Sequence, residues 1–310
     1  MDALSQVLRS FRLRATFLSA WDLGAPWGLS FRRTTGAPFH YVESGELWLI
    51  APDGARVHAQ AGDMLVVFGG GGHRIGDRPG SPAQTIEAVR KTLAPGSVVH
   101  RIGGSGRRCK IVCGMFHIDE RDSTATAFRQ LPALLHVRPD GSLPRILDLL
   151  ALELRGGEAG AERAAALLTE TLLIKVIRHV LAGDEPLAAG WLAGLRDAQI
   201  AAALAAMHGE PEKRWAVVTL ARRAGMSRTT FAARFHELVG VPPMTYLARR
   251  RLELAARWLR ETTLSVGDIW QRLGYASAPA FHRAFKRQQG VSPSEYRVRE
   301  GDQPRPRRRA

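Results

Sequence analysis

The sequence predicts an α+β chain with two dissimilar halves: a β-rich N-terminal half, a helical linker, and an all-α C-terminal domain holding two helix-turn-helix units. Three observations predict it. Between Trp27 and Asp119, short apolar runs alternate with glycine and proline turns. From Leu143 the apolar spacing changes to three and four, the period of a helix. From Gly225 to Tyr296 the chain repeats itself at a constant offset of 50 residues.

Taken in order, residues 1–20 carry Val7, Leu8, Phe11, Phe17 and Leu18 and read as a short helix. Strands are expected at Phe39–Val42, Glu46–Ile50, Arg56–Ala59, Met64–Phe68 and Lys110–Phe116, with turns at 52–54 and 61–63. Many short strands at this spacing suggest a small barrel or sandwich. Gly69–Gly72 reads as a flexible turn. A phosphate-binding loop needs a lysine and a hydroxyl residue after the glycines, and His73-Arg74-Ile75 supplies neither. Ser81–Lys110, with its glycines, prolines and basic residues, reads as loop-rich.

The two cysteines, Cys109 and Cys113, share one face of a strand. They stand about 13 Å apart at ~3.3 Å per residue, too far for a disulfide without rearrangement. Arg107, Arg108 and Lys110 favour a thiolate at Cys109. A redox-sensing pair and two ordinary buried thiols are both open readings.

Leu143, Ile146, Leu147, Leu150 and Leu154 form one helical stripe, and Leu168, Leu172, Leu173, Val176, Ile177, Val180 and Leu181 form another. Such stripes either pack on the β-rich half or meet a second copy of the chain. Trp191–Met207 reads as a further helix, and 208–212 as a hinge.

Within the repeat, Ser227, Phe231, Phe235, Gly240, Pro243 and Tyr246 recur as Ser277, Phe281, Phe285, Gly290, Pro293 and Tyr296. Each copy reads as a turn, a serine-capped helix, a glycine stop and a proline-led start. The phenylalanines, four apart, point into a small core. Outward positions of the first capped helix are Arg228, Thr229, Thr230, Ala232, Ala233, Arg234 and His236. Those of the second are Ala278, Pro279, His282, Arg283 and Lys286. Polar side chains there can reach phosphates or base edges, and alanines a thymine methyl.

Charge points the same way. The net charge is +15, and residues 211–310 hold 21 lysines and arginines against 8 acidic residues. The first 210 residues hold 23 against 21. A near-neutral half joined to a strongly basic one implies a polyanionic partner for the second. No stretch approaches ~18 uninterrupted apolar residues, so a soluble, cytoplasmic chain without a membrane partner is expected.

The repeat resembles the DNA-binding domain of AraC/XylS-type bacterial transcriptional regulators. The resemblance is strongest in Gly274-Tyr275-x-Ser277-x3-Phe281-x3-Phe285-Lys286 and Gly290-x-Ser292-Pro293-x2-Tyr296-Arg297. Where that family usually has alanine this chain has Trp270, whose indole must repack the second unit. The N-terminal half, with His40-Tyr41-x2-Ser44-Gly45-Glu46-x-Trp48, then Gly62-Asp63, then Gly69 to His73, resembles the cupin-like sensor domains of one branch of these regulators.

The resemblance implies a cupin-like β-barrel in residues 1–140, a helical linker or dimerisation region in 141–208, a DNA-binding domain in 209–300, and a disordered basic tail in 301–310. It implies a sequence-specific regulator with promoter DNA, an unidentified small-molecule effector, RNA polymerase and a second copy as partners, and without a cofactor. Metal-binding cupins supply a His-x-His pair, a glutamate and a later histidine. Here His40, Glu46 and His73 match, but Val42 replaces the second histidine. These residues read either as ligands of an effector or metal, or as hydrogen-bonded histidines at a barrel rim. Two alternatives follow: a redox-sensing regulator using Cys109 and Cys113, or a cupin metalloenzyme fused to a DNA-binding domain.

Overall fold

The structure is a computed structural model that describes residues 2–9, 13–34, 36–69, 71–93, 99–118, 131–138, 143–183 and 187–301. They form two compact units, one from residues 13–118 with 131–183 and one from 2–9 with 187–301. The chain opens with helix α1 (Ala3–Arg9), which belongs to the second unit.

In the β-rich unit the strands are β1 (Leu13–Gly24), β2 (Gly28–Phe31), β3 (Ala37–Ser44), β4 (Glu46–Ile50), β5 (Arg56–Gln60), β6 (Met64–Val67), β7 (His73–Gly76) and β8 (Gln84–Thr85). After helix α2 (Ile86–Lys91) come β9 (Val99–Gly103), β10 (Arg108–Ile118) and β11 (Leu134–Val137). One sheet runs β11, β6, β3, β10, β1, β9, and the other β5, β4, β7, β2, β8. Alternation along the strands sends Trp21, Leu23, Val42, Leu47, Leu49, Leu65, Ile75 and Ile111 into one core between the sheets. The expected barrel is therefore a pair of facing sheets whose ladder does not close. An edge strand as short as β8, paired only at Gln84 and Thr85, cannot carry the hydrogen bonding round a corner.

Two sequence expectations differ here. The N-terminal helix stops at Arg9, and Phe17 and Leu18 lie on β1, which pairs with β10. The antiparallel ladder from β1 to β10, which runs from Leu13 to Gly24, takes that stretch out of the helix. Phe11 lies outside the described residues. The segment from Ser81 to Lys110 holds α2 and β9 rather than loop alone. Thr85 Oγ1 caps α2 by accepting from Ala88 N, and Ile86 and Val89 are buried three residues apart.

Helices α3 (Leu143–Gly156) and α4 (Ala161–Ala182) pack on each other and on β1. On α4 the buried stripe is Leu172, Leu173, Val176, Ile177 and Val180, close to the one expected. Arg155 forks onto Glu43 of β3, at 2.9 and 2.5 Å.

The helical unit contains α5 (Trp191–Arg196), α6 (Ala198–Gly209), α7 (Val217–Arg223), α8 (Arg228–Val239), α9 (Pro243–Glu261), α10 (Val266–Arg272), α11 (Ala278–Gln289) and α12 (Pro293–Gly301). Helix α1 packs on α6, burying Val7 and Leu8. Ile200, Leu204 and Met207 of α6 are themselves buried. Packing thus divides the chain elsewhere than at 140 and 208: α3 and α4 go with the sheets, and α1, α5 and α6 go with the C-terminal helices. The expected hinge is also pinned. Arg251 donates to the carbonyls of Pro211 (2.7 Å) and Lys213 (2.8 Å), and Trp215 Nε1 to that of Glu210 (2.9 Å).

Candidate functional site

The 50-residue repeat is a repeat in space. In the first unit α7 ends at a turn where Gly225 has φ +65° and Met226 N bonds Ala221 O at 2.9 Å. In the second, α10 ends where Gly274 has φ +70° and Tyr275 N bonds Trp270 O at 3.2 Å. Ser227 and Ser277 then cap α8 and α11 by accepting from Thr230 N and Ala280 N. Both helices stop at left-handed glycines, Gly240 at φ +81° and Gly290 at φ +79°.

The cores match as well. Phe231 and Phe235 are fully buried with ring centroids 5.6 Å apart, and Phe281 and Phe285 likewise at 5.7 Å. Tyr246 meets Phe235 edge-on at 5.8 Å, and Tyr296 meets Phe285 edge-on at 5.4 Å. The tyrosine hydroxyls differ in partner: Tyr246 faces His208 Nε2 at 2.7 Å, and Tyr296 accepts from Arg260 at 2.6 Å. Trp270 lies half-buried against the second core. Between the two units α9 is an unbroken rod of roughly 28 Å at ~1.5 Å per residue.

With the phenylalanines inward, the opposite faces of α8 and α11 carry the expected contact residues. Arg228, Thr229, Thr230, Ala233, Arg234 and His236 are exposed on α8, and Ala232 is half-buried. Pro279, Arg283 and Lys286 are exposed on α11, and Ala278 and His282 half-buried. Two of these are already engaged. Thr230 Oγ1 shares a hydrogen bond with the capping hydroxyl of Ser227 (2.8 Å), and Arg234 is bound by Asp197 and Glu237, each at 3.1 Å. Exposed Arg222, Arg223, Arg272 and Arg287 stand beside these faces and were not singled out from the sequence. Their signal was the excess of arginine in the last turns of α7, α10 and α11. The basic tail beyond residue 301 lies outside the described residues.

In the β-rich unit the candidate sensor residues separate into two places. His40 of β3 and His73 of β7 meet with Nε2 atoms 2.7 Å apart, and His40 Nδ1 lies 3.0 Å from Cys113 Sγ. His73 stacks on Phe31 at 4.7 Å, and its Nδ1 faces Gly71 O at 3.4 Å. One set of tautomers satisfies the whole row: the Cys113 thiol donates to His40, His40 to His73, and His73 to Gly71. Burial, reinforced by His73, pushes His40 well below the ordinary histidine range. Burial brings His73 down to about 4 against the pull of the Gly71 carbonyl. Both rings are neutral at pH 7.

Glu46 takes no part in this row. It pairs with His58 (3.1 Å) and Arg107 (3.5 Å). The expected His40–Glu46–His73 set is thus not assembled, and Cys113 meets the far nitrogen of His40. These residues do not fit a chelated metal, and no group of three or more candidate ligands gathers among the described residues. The thiolate expected at Cys109 is not favoured: burial, against a hydrogen bond from the Glu46 backbone and helped by the Glu46 and Asp22 carboxylates, raises Cys109 to about 12, and burial raises Cys113 too. Trp27, Glu46, Gln60, Asp77, Arg107 and Cys109 line a cavity of about 610 Å³ in this unit.

Residues 2–182 match a family model described as a cupin, and residues 220–299 one described as a helix-turn-helix domain. Over 307 residues the chain is 31% identical to an AraC-like transcription regulator of Streptomyces lividans, covering 96% of this chain and 98% of that one. The chain belongs to the AraC-like transcription regulators. AlkR, an HTH-type transcriptional regulator of Acinetobacter baylyi, is 28% identical over 315 residues, covering 96% of this chain and 99% of its own. The solved DNA-binding domain of the transcriptional factor AdpA, in complex with a target DNA, is 39% identical and covers 30% of this chain and 84% of that one, with a TM-score of 0.29. As an AraC-like regulator, the protein is a DNA-binding transcription regulator with an N-terminal cupin domain and a C-terminal helix-turn-helix domain. No helix among the described residues is long and apolar enough to cross a membrane.

Proposed function

We propose that this regulator reads promoter sequence with α8 and α11 and tunes that reading by a signal held in its cupin unit. The observation that carries the reading is the pair of matched cores, which present two exposed helix faces on one rod. On α11 the exposed Arg283, beside half-buried His282, is the base reader, since a guanidinium can bond guanine O6 and N7 together. On α8 the exposed Thr229 and Ala233 offer a hydroxyl and a thymine-methyl contact, while Arg228 and His236 suit phosphates. RNA polymerase is a further proposed partner.

For the signal, the 610 Å³ cavity is of a size to hold a small molecule, with Trp27 as an apolar wall and Arg107 and Gln60 as polar anchors. The contact between Cys113 and His40 supports a second reading, a thiol-based signal. A second copy would meet the exposed Leu149, Leu152 and Leu167 of α3 and α4. The test is selection of duplexes from a randomised pool by the full chain, followed by footprinting. Two protected segments about one helical turn apart are expected, and a single unstructured footprint contradicts the reading.

A further inference from the structure

Arg234 sits on α8, three residues after Phe231, yet its guanidinium does not face open solvent unaccompanied. Nε donates to Asp197 Oδ2 at 3.1 Å and Nη1 to Glu237 Oε2 at 3.1 Å. Asp197 is itself a structural group. Lying between α5 and α6, it caps α6 through Oδ1, which accepts from Gln199 N (3.0 Å) and Ile200 N (3.1 Å). Burial works against its charge. The Ile200 amide, the Arg234 guanidinium and the Gln199 amide nevertheless hold its carboxyl below the usual range, so it is ionised at neutral pH.

The rest of this corner is closely fitted. Gly190 N, at the start of α5, donates to Leu238 O at the end of α8 (2.8 Å). A side chain at Gly194 would put its Cβ 2.9 Å from Leu204 Cδ1 and 3.0 Å from Val239 Cγ2, so α5 is wedged between α6 and the end of α8. Helix α6 is held in turn by α1 on one side and by the His208–Tyr246 contact to α9 on the other. The back of the first recognition helix therefore rests on α5 and α6, the first helices after the β-rich unit in the chain.

We infer that Asp197 is a positioning residue for the first recognition helix, and that Arg234 serves this brace and not the DNA. Two carboxylates already hold its Nε and Nη1, and their negative charge opposes the approach of a phosphate. Fixing α8 against α6 sets the angle at which Thr229 and Ala233 meet the groove. The inference rests on the reading that α8 lies against DNA.

The test uses the full chain and a duplex enriched from a randomised pool, with titrations at several salt concentrations. Asp197→Asn keeps a good capping side chain while removing the charge that holds Arg234. Arg234→Gln removes the other partner. Each single variant is expected to weaken specific binding roughly tenfold, in line with loss of a charge-assisted hydrogen bond. The double variant should bind no worse than the weaker single one, because the two residues act as a pair. The slope of log affinity against log salt should not change, and footprint loss should be confined to the half contacted by the first unit. If Arg234 instead touches phosphate, Arg234→Gln lowers that slope by about one and Asp197→Asn leaves or raises affinity. Either result, additive losses in the double variant, or wild-type binding by both singles overturns the inference. Failure of the wild-type chain to select any duplex would refute the DNA-reading assignment instead, so the two failures are distinguishable.

Discussion

Arg283 and Lys286 lie one turn apart on α11, and the proposed reading gives base discrimination to Arg283. Replacing Arg283 by alanine should cost roughly 1–3 kcal/mol and relax preference at one base position, measured by binding to a panel of single-base variants. A loss spread evenly over all duplexes would make it a phosphate contact. In the cupin unit the neutral pair His40–His73 gives a second expectation. A histidine with pKa about 4 in the folded state and 6.5 when unfolded binds fewer protons folded than unfolded between those values. Stability from His73 is therefore fully present above pH ~6.5 and is lost as pH falls towards 4, by on the order of 3 kcal/mol. His40 shifts in the same direction. Thermal unfolding between pH 4 and 7 should show this slope, and His73→Gln should flatten it. A variant with the wild-type slope would show that other groups carry the acid sensitivity. The sequence grouped His40 with His73 through the cupin resemblance, but not His40 with Cys113. His40 and Cys113 stand 73 residues apart, and His40 and His73 stand 33 apart. Strand register sets Cys113 opposite His40, and the facing of the two sheets brings in His73; short apolar runs specify neither.

Helices α8 and α11 were legible because every signal that makes them is local: a capping serine, phenylalanines four apart, a glycine stop and a proline start. Such signals need no knowledge of a distant partner. What they do not reveal is the far side of each helix, so Arg234 looked like its exposed neighbours until Asp197, 37 residues earlier, was placed beside it. Strands fared less well for the same reason: alternation identifies a buried face but not the order of the sheet. At this scale the matched cores make a prediction. Phe285→Ala and Phe235→Ala should each cost about 3–5 kcal/mol, because each empties a fully buried ring site. Chemical denaturation of the full chain, followed by a probe in the helical unit, measures it. An equally stable Phe285→Ala chain would contradict the placement of the motif.

For the molecule as a whole, charge and packing divide it at different places. The excess positive charge belongs to residues 211–310. The helical unit, however, also requires α5 and α6, whose Trp191, Leu192, Ile200, Leu204 and Met207 are buried within it. A fragment starting at about residue 187 should therefore fold and bind DNA, with affinity falling steeply as salt rises through counterion release. A fragment starting at 209 should unfold at markedly lower temperature, because it leaves the partners of those side chains facing water. Equal melting temperatures for the two fragments would show that α5 and α6 contribute nothing to the unit.

The docking of α1 on α6 has a consequence for the order of events on the ribosome. Helix α1 is made roughly 190 residues before its packing partner. At about 5–20 residues per second that is a wait on the order of 10–40 s. The cupin strands are complete well before then, whereas the reading head stays unfinished until the last helices are made. A prematurely terminated chain would thus carry a sensor without a reader. Such a product lacks the helices proposed to face DNA and should leave promoters unoccupied.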